Sequence, residues 1–470
     1  MLHPWAAEAE QERRPGQGGG DRRSGWPMDE SRTTGACGRY RWLVCTLLFF
    51  AVSVLYVDRQ ILSLLKPMLD DQMKWTDEQF GLINAAFLGA YGLSAAAFGW
   101  FIDRFGTKIG YTVVIVAWSL SAVGTSFAAG VRGFVLARFA VGGSEGGSFP
   151  TSIKAVALWF PKGERALATT IFNSGTNVGA IIAPAVIPWI AFRWGWQGAY
   201  IAAGAAGLFW VVWWLLLYDR PENIRRLKPA ELAHIRGDGA EEADNGAADA
   251  SWARLLRYRQ TWSFILGKFF TDPIWWFFLI WLPDFFKKTR GLDLKRSWLH
   301  LVSIYAIVTA LSIIGGWLTG FLIGRRWTVT RARKTGMLLF AACVLPILAV
   351  SRVGNWTVVL LVGVAAAAHQ AWSANLFTTV SDMFPKGFVA SVTGLGGMAG
   401  AIGSMLFQPF VGALLDFFKI HGGPAAGYNV LFTICGTAYL TTFVIHHLCA
   451  PRFDPIELRP QASGRDAPGG

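Results

Sequence analysis

The chain has 470 residues, 53% hydrophobic and only 16% charged, against roughly 25% charged in an ordinary soluble domain. Its roughly 249 apolar residues (53% of 470) fill some twelve spans of about 20 residues, the length one helix needs to cross a bilayer, and the mean hydropathy is +0.38. This excludes a disordered or fibrous chain and argues against a soluble two-domain enzyme; in a membrane protein the net charge of 43 − 30 = +13 signifies Lys and Arg held on the cytoplasmic side rather than a nucleic-acid footprint.

Residues 1–39 are polar and Gly/Arg-rich, without the apolar core of a cleavable signal. They read as a flexible cytoplasmic tail, and Met28 is an alternative start. A first span is expected near 41–66. Phe80–Ile102, Ile109–Val131, Ala166–Phe192 and Trp194–Tyr218 carry no Asp, Glu, Lys or Arg, and a fourth span near 133–156 completes six. Residues 219–259 are polar and mixed in charge, with Arg220, Arg225, Arg226, Lys228, Arg236, Arg254, Arg257 and Arg259. The positive-inside rule places this stretch in the cytoplasm. Further spans follow near 260–286, 298–323 and 335–351, then Val353–Ser381, Phe388–Leu415, and one near 427–449. Two sets of six leave both termini, including the tail 451–470, in the cytoplasm. Lys287, Lys288, Arg290, Lys295 and Arg296 run against the rule, because the count puts the loop after the seventh span outside.

The halves echo each other. Phe160-Pro161-Lys162-Gly163 and Phe384-Pro385-Lys386-Gly387 close the fourth and tenth spans, and a Gly-rich span follows each. A duplicated architecture of this kind holds its binding site between the halves near the midplane. Five cysteines, Cys37, Cys45, Cys343, Cys435 and Cys449, have no metal or disulfide spacing.

Ionisable groups inside spans are expensive and are functional candidates by default. Asp58 and Arg59 interrupt the first span, unless it ends at Val57 and leaves the pair at the interface. Arg138 and Glu145 interrupt the fourth; seven residues at 100° each return within about 20° of two full turns, so both share one face. That face meets a polar cavity or a partner, or else forms a charge ladder that only holds helices together. The guanidinium fork suits a carboxylate, and a shielded carboxylic acid near an Arg can exchange a proton when an anion competes for that Arg. Tyr91, Asn173, Thr176 and Asn177 are either hydrogen-bond donors to sugar hydroxyls or helix-packing glue. His369, Gln370, Trp372 and Asn375 lie together in the tenth span, where a lone histidine is more often packed than a ligand. Lys268 and Asp272 are expected to pair, and Lys154 to snorkel. No GxxxxGK[ST], HExxH or G-x-S-x-G motif is present, so nothing supports catalysis and transport has to run on an ion gradient.

Gly99-Trp100-Phe101-Ile102-Asp103-Arg104-Phe105-Gly106-Thr107-Lys108 resembles the loop signature of the major facilitator superfamily, with a degenerate counterpart at Gly320–Arg326. Tyr56-Val57-Asp58-Arg59, LARFAVGGSEGGSFP and WFPKGERALATTIFNSG resemble the anion:cation symporter branch, in particular its hexuronate transporters, over about residues 40 to 450. The resemblance implies an all-α membrane protein of about twelve transmembrane helices in two pseudo-symmetric six-helix bundles, 40–218 and 260–450. It implies proton symport of a hexuronate or related sugar-acid anion by alternating access, in a monomer of the inner membrane without cofactor, metal or nucleic acid. Arg59 would bind the substrate carboxylate, Asp58 and Glu145 would carry protons, and Arg138 would support Glu145. Tyr56, Tyr91 and Asn173 fall at substrate contacts, with His369, Trp372 and Thr393 as counterparts in the second half. Thr176 stands where galactonate carriers resembling this one have a glutamine, which leans the preference away from galactonate.

Overall fold

The computed structural model describes residues 39–236, 252–292 and 294–456. Met28, Cys37, most of the expected N-terminal tail and residues 457–470 lie outside them. No strand occurs among the described residues.

The first half holds α1 (Tyr40–Met73), α2 (Asp77–Phe105), α3 (Thr107–Thr125), α4 (Gly130–Glu145), α5 (Ser148–Trp159) and α6 (Lys162–Leu217). Short helices α7 (Pro229–Arg236) and α8 (Trp252–Leu255) follow. The second half holds α9 (Arg259–Arg290), α10 (Leu294–Gly324), α11 (Val329–Val344), α12 (Asn355–Met383), α13 (Lys386–His421) and α14 (Pro424–Cys449). Among the described residues, ten stretches are long and apolar enough to cross a membrane. One of them is two helices in series: α6 breaks at Trp194 and at Gly195, whose φ of +73° is open to glycine. The α4–α5 pair adds one more crossing, interrupted at Gly146-Gly147 directly after Glu145. The total is the twelve expected from composition. Large apolar side chains such as Leu93, Phe139, Leu216, Ile314 and Leu406 stay exposed, as a lipid-facing surface requires.

Local chemistry sets the ends. Thr76 and Gln79 form a reciprocal capping box at the start of α2. The Glu231 carboxylate of α7 accepts the backbone N–H groups of Tyr40 and Arg41 at 3.2 and 3.1 Å, capping α1 from a distance in sequence. Arg41 also reaches Glu164 at 2.8 Å, and this hydrogen bond holds the Glu164 carboxyl below the usual carboxylate range. The central segment is thereby fastened to the 40-end of the bundle.

The repeated corner has a structural counterpart. Phe160 and Phe384 end their helices at φ/ψ of −124°/135° and −111°/143°, and Pro161 and Pro385 open the next at −62°/155° and −57°/149°. The same backbone turn thus serves both halves. Within the first half α1 and α3 pack on α6, and α2 on α4; within the second, α9 packs on α13 and α14, and α10 on α12. The halves meet through α2 with α13, α1 with α9, and α6 with α10.

At the end of the bundle away from the central segment, Lys66 is fully buried and bonds Asp70, Asp77 and Asp284 at 2.7, 2.7 and 3.0 Å. Lys288 bonds Asp77 and Asp284 at 2.7 and 3.0 Å, and Lys287 donates to the Pro67 carbonyl at 2.7 Å. This corrects the sequence expectation of a basic loop against the charge rule. Lys287, Lys288 and Arg290 lie in the last turn of α9, where the two lysines are counterions to acidic groups of α1, α2 and α9 itself.

Candidate functional site

The site is built where α1, α2, α3, α4 and α9 come together. α1 runs unbroken through Asp58 and Arg59 to Met73, so the pair is mid-helix and buried, not a helix end. α4 crosses α2 closely because residue 142 has no side chain: a Cβ there would fall on the Phe87 carbonyl and 3.0 Å from its Cα. A Cβ on Gly179 of α6 would lie 2.8 Å from the Tyr56 Cβ. Small residues at these crossings bring two arginines and two acids into one buried volume.

The pairing differs from the sequence expectation. Arg59 Nε donates to Glu145 Oε2 at 2.6 Å, so Glu145 is held by Arg59 rather than by Arg138 on its own helix. Four rings surround the Arg59 guanidinium: Tyr91 at 4.8 Å, Tyr56 at 4.9 Å, and Phe87 and Trp276 at 5.8 Å from its carbon. Arg138 lies 4.2 Å over the Phe87 ring. Its Nε and Nη1 have no hydrogen-bond partner among the described residues, and the same holds for Asp58 Oδ1 and Glu145 Oε1. Asp58 Oδ2 accepts from Trp118 Nε1 of α3 at 3.0 Å.

The structure therefore gathers Asp58, Arg59, Arg138, Glu145, Tyr56 and Tyr91. Asn173 is exposed and its carbonyl accepts the Thr176 hydroxyl at 2.8 Å; neither side chain bonds the arginines or acids among the described residues. In the second half His369 hydrogen-bonds the Tyr439 hydroxyl at 2.6 Å and stacks on Trp275 at 5.4 Å. Trp372 is buried edge-on against Tyr439. Thr393 is half-buried and makes no side-chain hydrogen bond among the described residues. Lys268 pairs with Asp272 at 2.8 Å as expected, and Lys154 donates to the Ile102 carbonyl at 3.2 Å.

Three residues were not legible as site members: Trp118, Phe87 and Trp276. Trp276 is the second half's contribution to the Arg59 cage, while its neighbour Trp275 faces His369. In FFTDPIWWFFLIW they read as ordinary span residues, because charge was the signal followed and aromatics occur in every span.

The Major Facilitator Superfamily profile matches residues 48–408. The chain belongs to this superfamily. It is 31% identical over 412 residues to the hexuronate transporter of Escherichia coli (strain K12), covering 86% of this chain and 93% of that protein. It is 27% identical to the D-galactonate transporter of Escherichia coli O6:H1, covering 85% and 94%. Among solved structures, a bacterial homologue of the human lysosomal transporter Spinster, inward-facing and occupied, superposes with a TM-score of 0.70 at 16% identity, covering 88% of this chain and 97% of that one. The fold is thus the superfamily's, and the two sequence relatives are a hexuronate and a D-galactonate transporter.

Proposed function

We propose that this member of the superfamily imports a hexuronate or related sugar-acid anion by proton symport, through alternating access of the bundles 40–218 and 260–450 about the cytoplasmic segment 219–259. It would act as a monomer in the inner membrane with both termini cytoplasmic. The observation that carries the reading is the Arg59–Glu145 pair, 2.6 Å apart and caged by aromatic rings from both halves.

In this mechanism the substrate carboxylate competes with Glu145 for the Arg59 fork, which offers parallel N–H donors to a planar anion. A displaced Glu145 is left without its cation in a water-poor volume, where a carboxyl takes up a proton. Anion and proton then enter together, and the site keeps its net charge. Asp58 would be the second proton carrier, with Arg138 beside it as its counter-charge. The pairing of α2 with α13 and the ion pairs around Lys66 join the two halves at the end away from the central segment, and alternating access would have to part them. Tyr56 and Tyr91 would bind sugar hydroxyls, with Asn173, Thr176, His369, Trp372 and Thr393 as more peripheral contacts.

Binding of glucuronate to the purified chain, with galacturonate, galactonate and benzoate as competitors, tests the cargo. Hexuronates are expected to compete best, and Arg59→Ala to weaken binding by about 100-fold or more, as loss of a buried charge contact does. Unaltered affinity in Arg59→Ala would sink the clamp. The four rings around Arg59 favour, as a second reading, an aromatic acid or another organic anion; benzoate outcompeting galacturonate would establish it.

A further inference from the structure

We propose that Trp118 is the positioning residue of the proton site: its indole N–H holds the Asp58 carboxylate toward α3, apart from the substrate clamp formed by neighbouring Arg59. The inference rests on the reading that Asp58 carries a proton. Adjacent residues of one helix thereby serve different partners, Arg59 bonding Glu145 at 2.6 Å and Asp58 bonding Trp118 at 3.0 Å.

The choice of side chain is informative. An indole N–H donates and never accepts, and it does not titrate. It can fix the orientation of a carboxylate in either protonation state without passing a proton itself. By occupying Oδ2 it leaves Oδ1, which has no partner among the described residues, as the oxygen where the proton is gained and lost. The charged and titratable groups acting on this carboxyl are Arg59 on α1, Arg138 and Glu145 on α4, and Tyr200 on α6. The Tyr200 hydroxyl is likewise buried and without a partner among the described residues.

The indole is seated from its other edge as well. A Cβ on Gly207 of α6 would fall on Ser119 Oγ and lie 2.7 Å from Trp118 Cζ3 and 3.3 Å from Cη2. Absence of a side chain at 207 lets a full indole stand between α6 and Asp58. A role in packing alone would need the ring but not the nitrogen, and that difference separates the two accounts.

The test is glucuronate uptake into proteoliposomes by the full chain across a pH series. Trp118→Phe keeps an aromatic ring and removes the donor; Trp118→His keeps a ring N–H at smaller size. A carboxylate that has lost a donor to its ionised form holds its proton to higher pH. The pH of half-maximal uptake is therefore expected to move up by about one unit in Trp118→Phe and to return toward wild type in Trp118→His. Gly207→Ala, whose added methyl displaces the ring edge while the N–H remains, gives an upward shift too and carries the test if Trp118→Phe fails to fold. A wild-type pH profile in a folded Trp118→Phe or Gly207→Ala, with Asp58→Asn losing gradient-driven uptake, overturns the positioning role alone. Full gradient-driven accumulation by Asp58→Asn instead overturns the proton-site reading beneath it.

Discussion

Two buried charge clusters lie on α1, seven residues apart from Arg59 to Lys66 or about 10 Å along the axis, and they are built on opposite terms. Around Lys66 the ammonium meets three carboxylates, and every oxygen of Asp70, Asp77 and Asp284 is bonded, with Trp75, Lys288 and Tyr428 completing the set. Among the described residues, Arg59 forms one ion pair, with Glu145, and Asp58, Arg138 and Glu145 each keep polar atoms without a partner. A saturated cluster has nothing left to offer a ligand, so it ties helices together. An undersaturated one keeps polar atoms free for a ligand, at a cost in desolvation that the surrounding fold offsets; in the proposed function these atoms would take up the anion and the proton.

The comparison breaks most readily at Lys66. Lys66→Met leaves the buried Asp77 and Asp284 and the half-buried Asp70 with Lys288 as the remaining cation and is expected to cost about 3–5 kcal/mol, read as lost thermal stability of the purified chain; adding Asp284→Asn to it restores part of the loss. If Lys66→Met unfolded at the wild-type temperature, the cluster would not be the tie described. Glu145→Gln sharpens the contrast from the other side. It is expected to abolish gradient-driven accumulation and to lower the unfolding temperature less than Lys66→Met does, because the introduced amide oxygen can still accept from Arg59 and Asp58 remains as a neighbouring carboxylate.

Gly142→Ala drives α4 off the Phe87 backbone, so the cage around Arg138 and Arg59 loosens. A destabilisation of about 1–3 kcal/mol with reduced uptake is expected, and a variant with full uptake would show that the close crossing is dispensable. At the weak end, Lys287→Ala removes a partly exposed pair with Asp71 at 3.5 Å and is expected to change stability by about 1 kcal/mol or less. Smallest is the acid limb of stability at the fastened central segment. The Glu164 carboxyl is held below its ordinary value by Arg41, so its contribution is present above the unfolded carboxylate range and is lost as pH falls through the lowered value. Glu164→Gln should flatten that limb in unfolding temperature measured against pH.

The sequence carried the helices well, because each span is a charge-free run of fixed length and a bilayer tolerates little else. It also marked Asp58, Arg59, Arg138 and Glu145, since charges in spans stand out against apolar neighbours. Their partners did not follow from spacing: Arg138 and Glu145 share a helical face, yet Glu145 bonds Arg59 on another helix. That exchange depends on how closely α4 approaches α2 at Gly142, a tertiary distance with no local signature. Trp118 and Trp276 were hidden for a related reason, their indoles being indistinguishable in sequence from lipid-facing or core tryptophans. The lysines at the end of α9 looked misplaced until Asp77 and Asp284 were found beside Lys288.

The central claim is that anion and proton move together, and accumulation of labelled glucuronate in proteoliposomes, with and without an inward proton gradient, tests it most directly. The account predicts uptake beyond equilibrium only with the gradient, competed by galacturonate and lost in Glu145→Gln. Equal, merely equilibrating uptake in both conditions would contradict it.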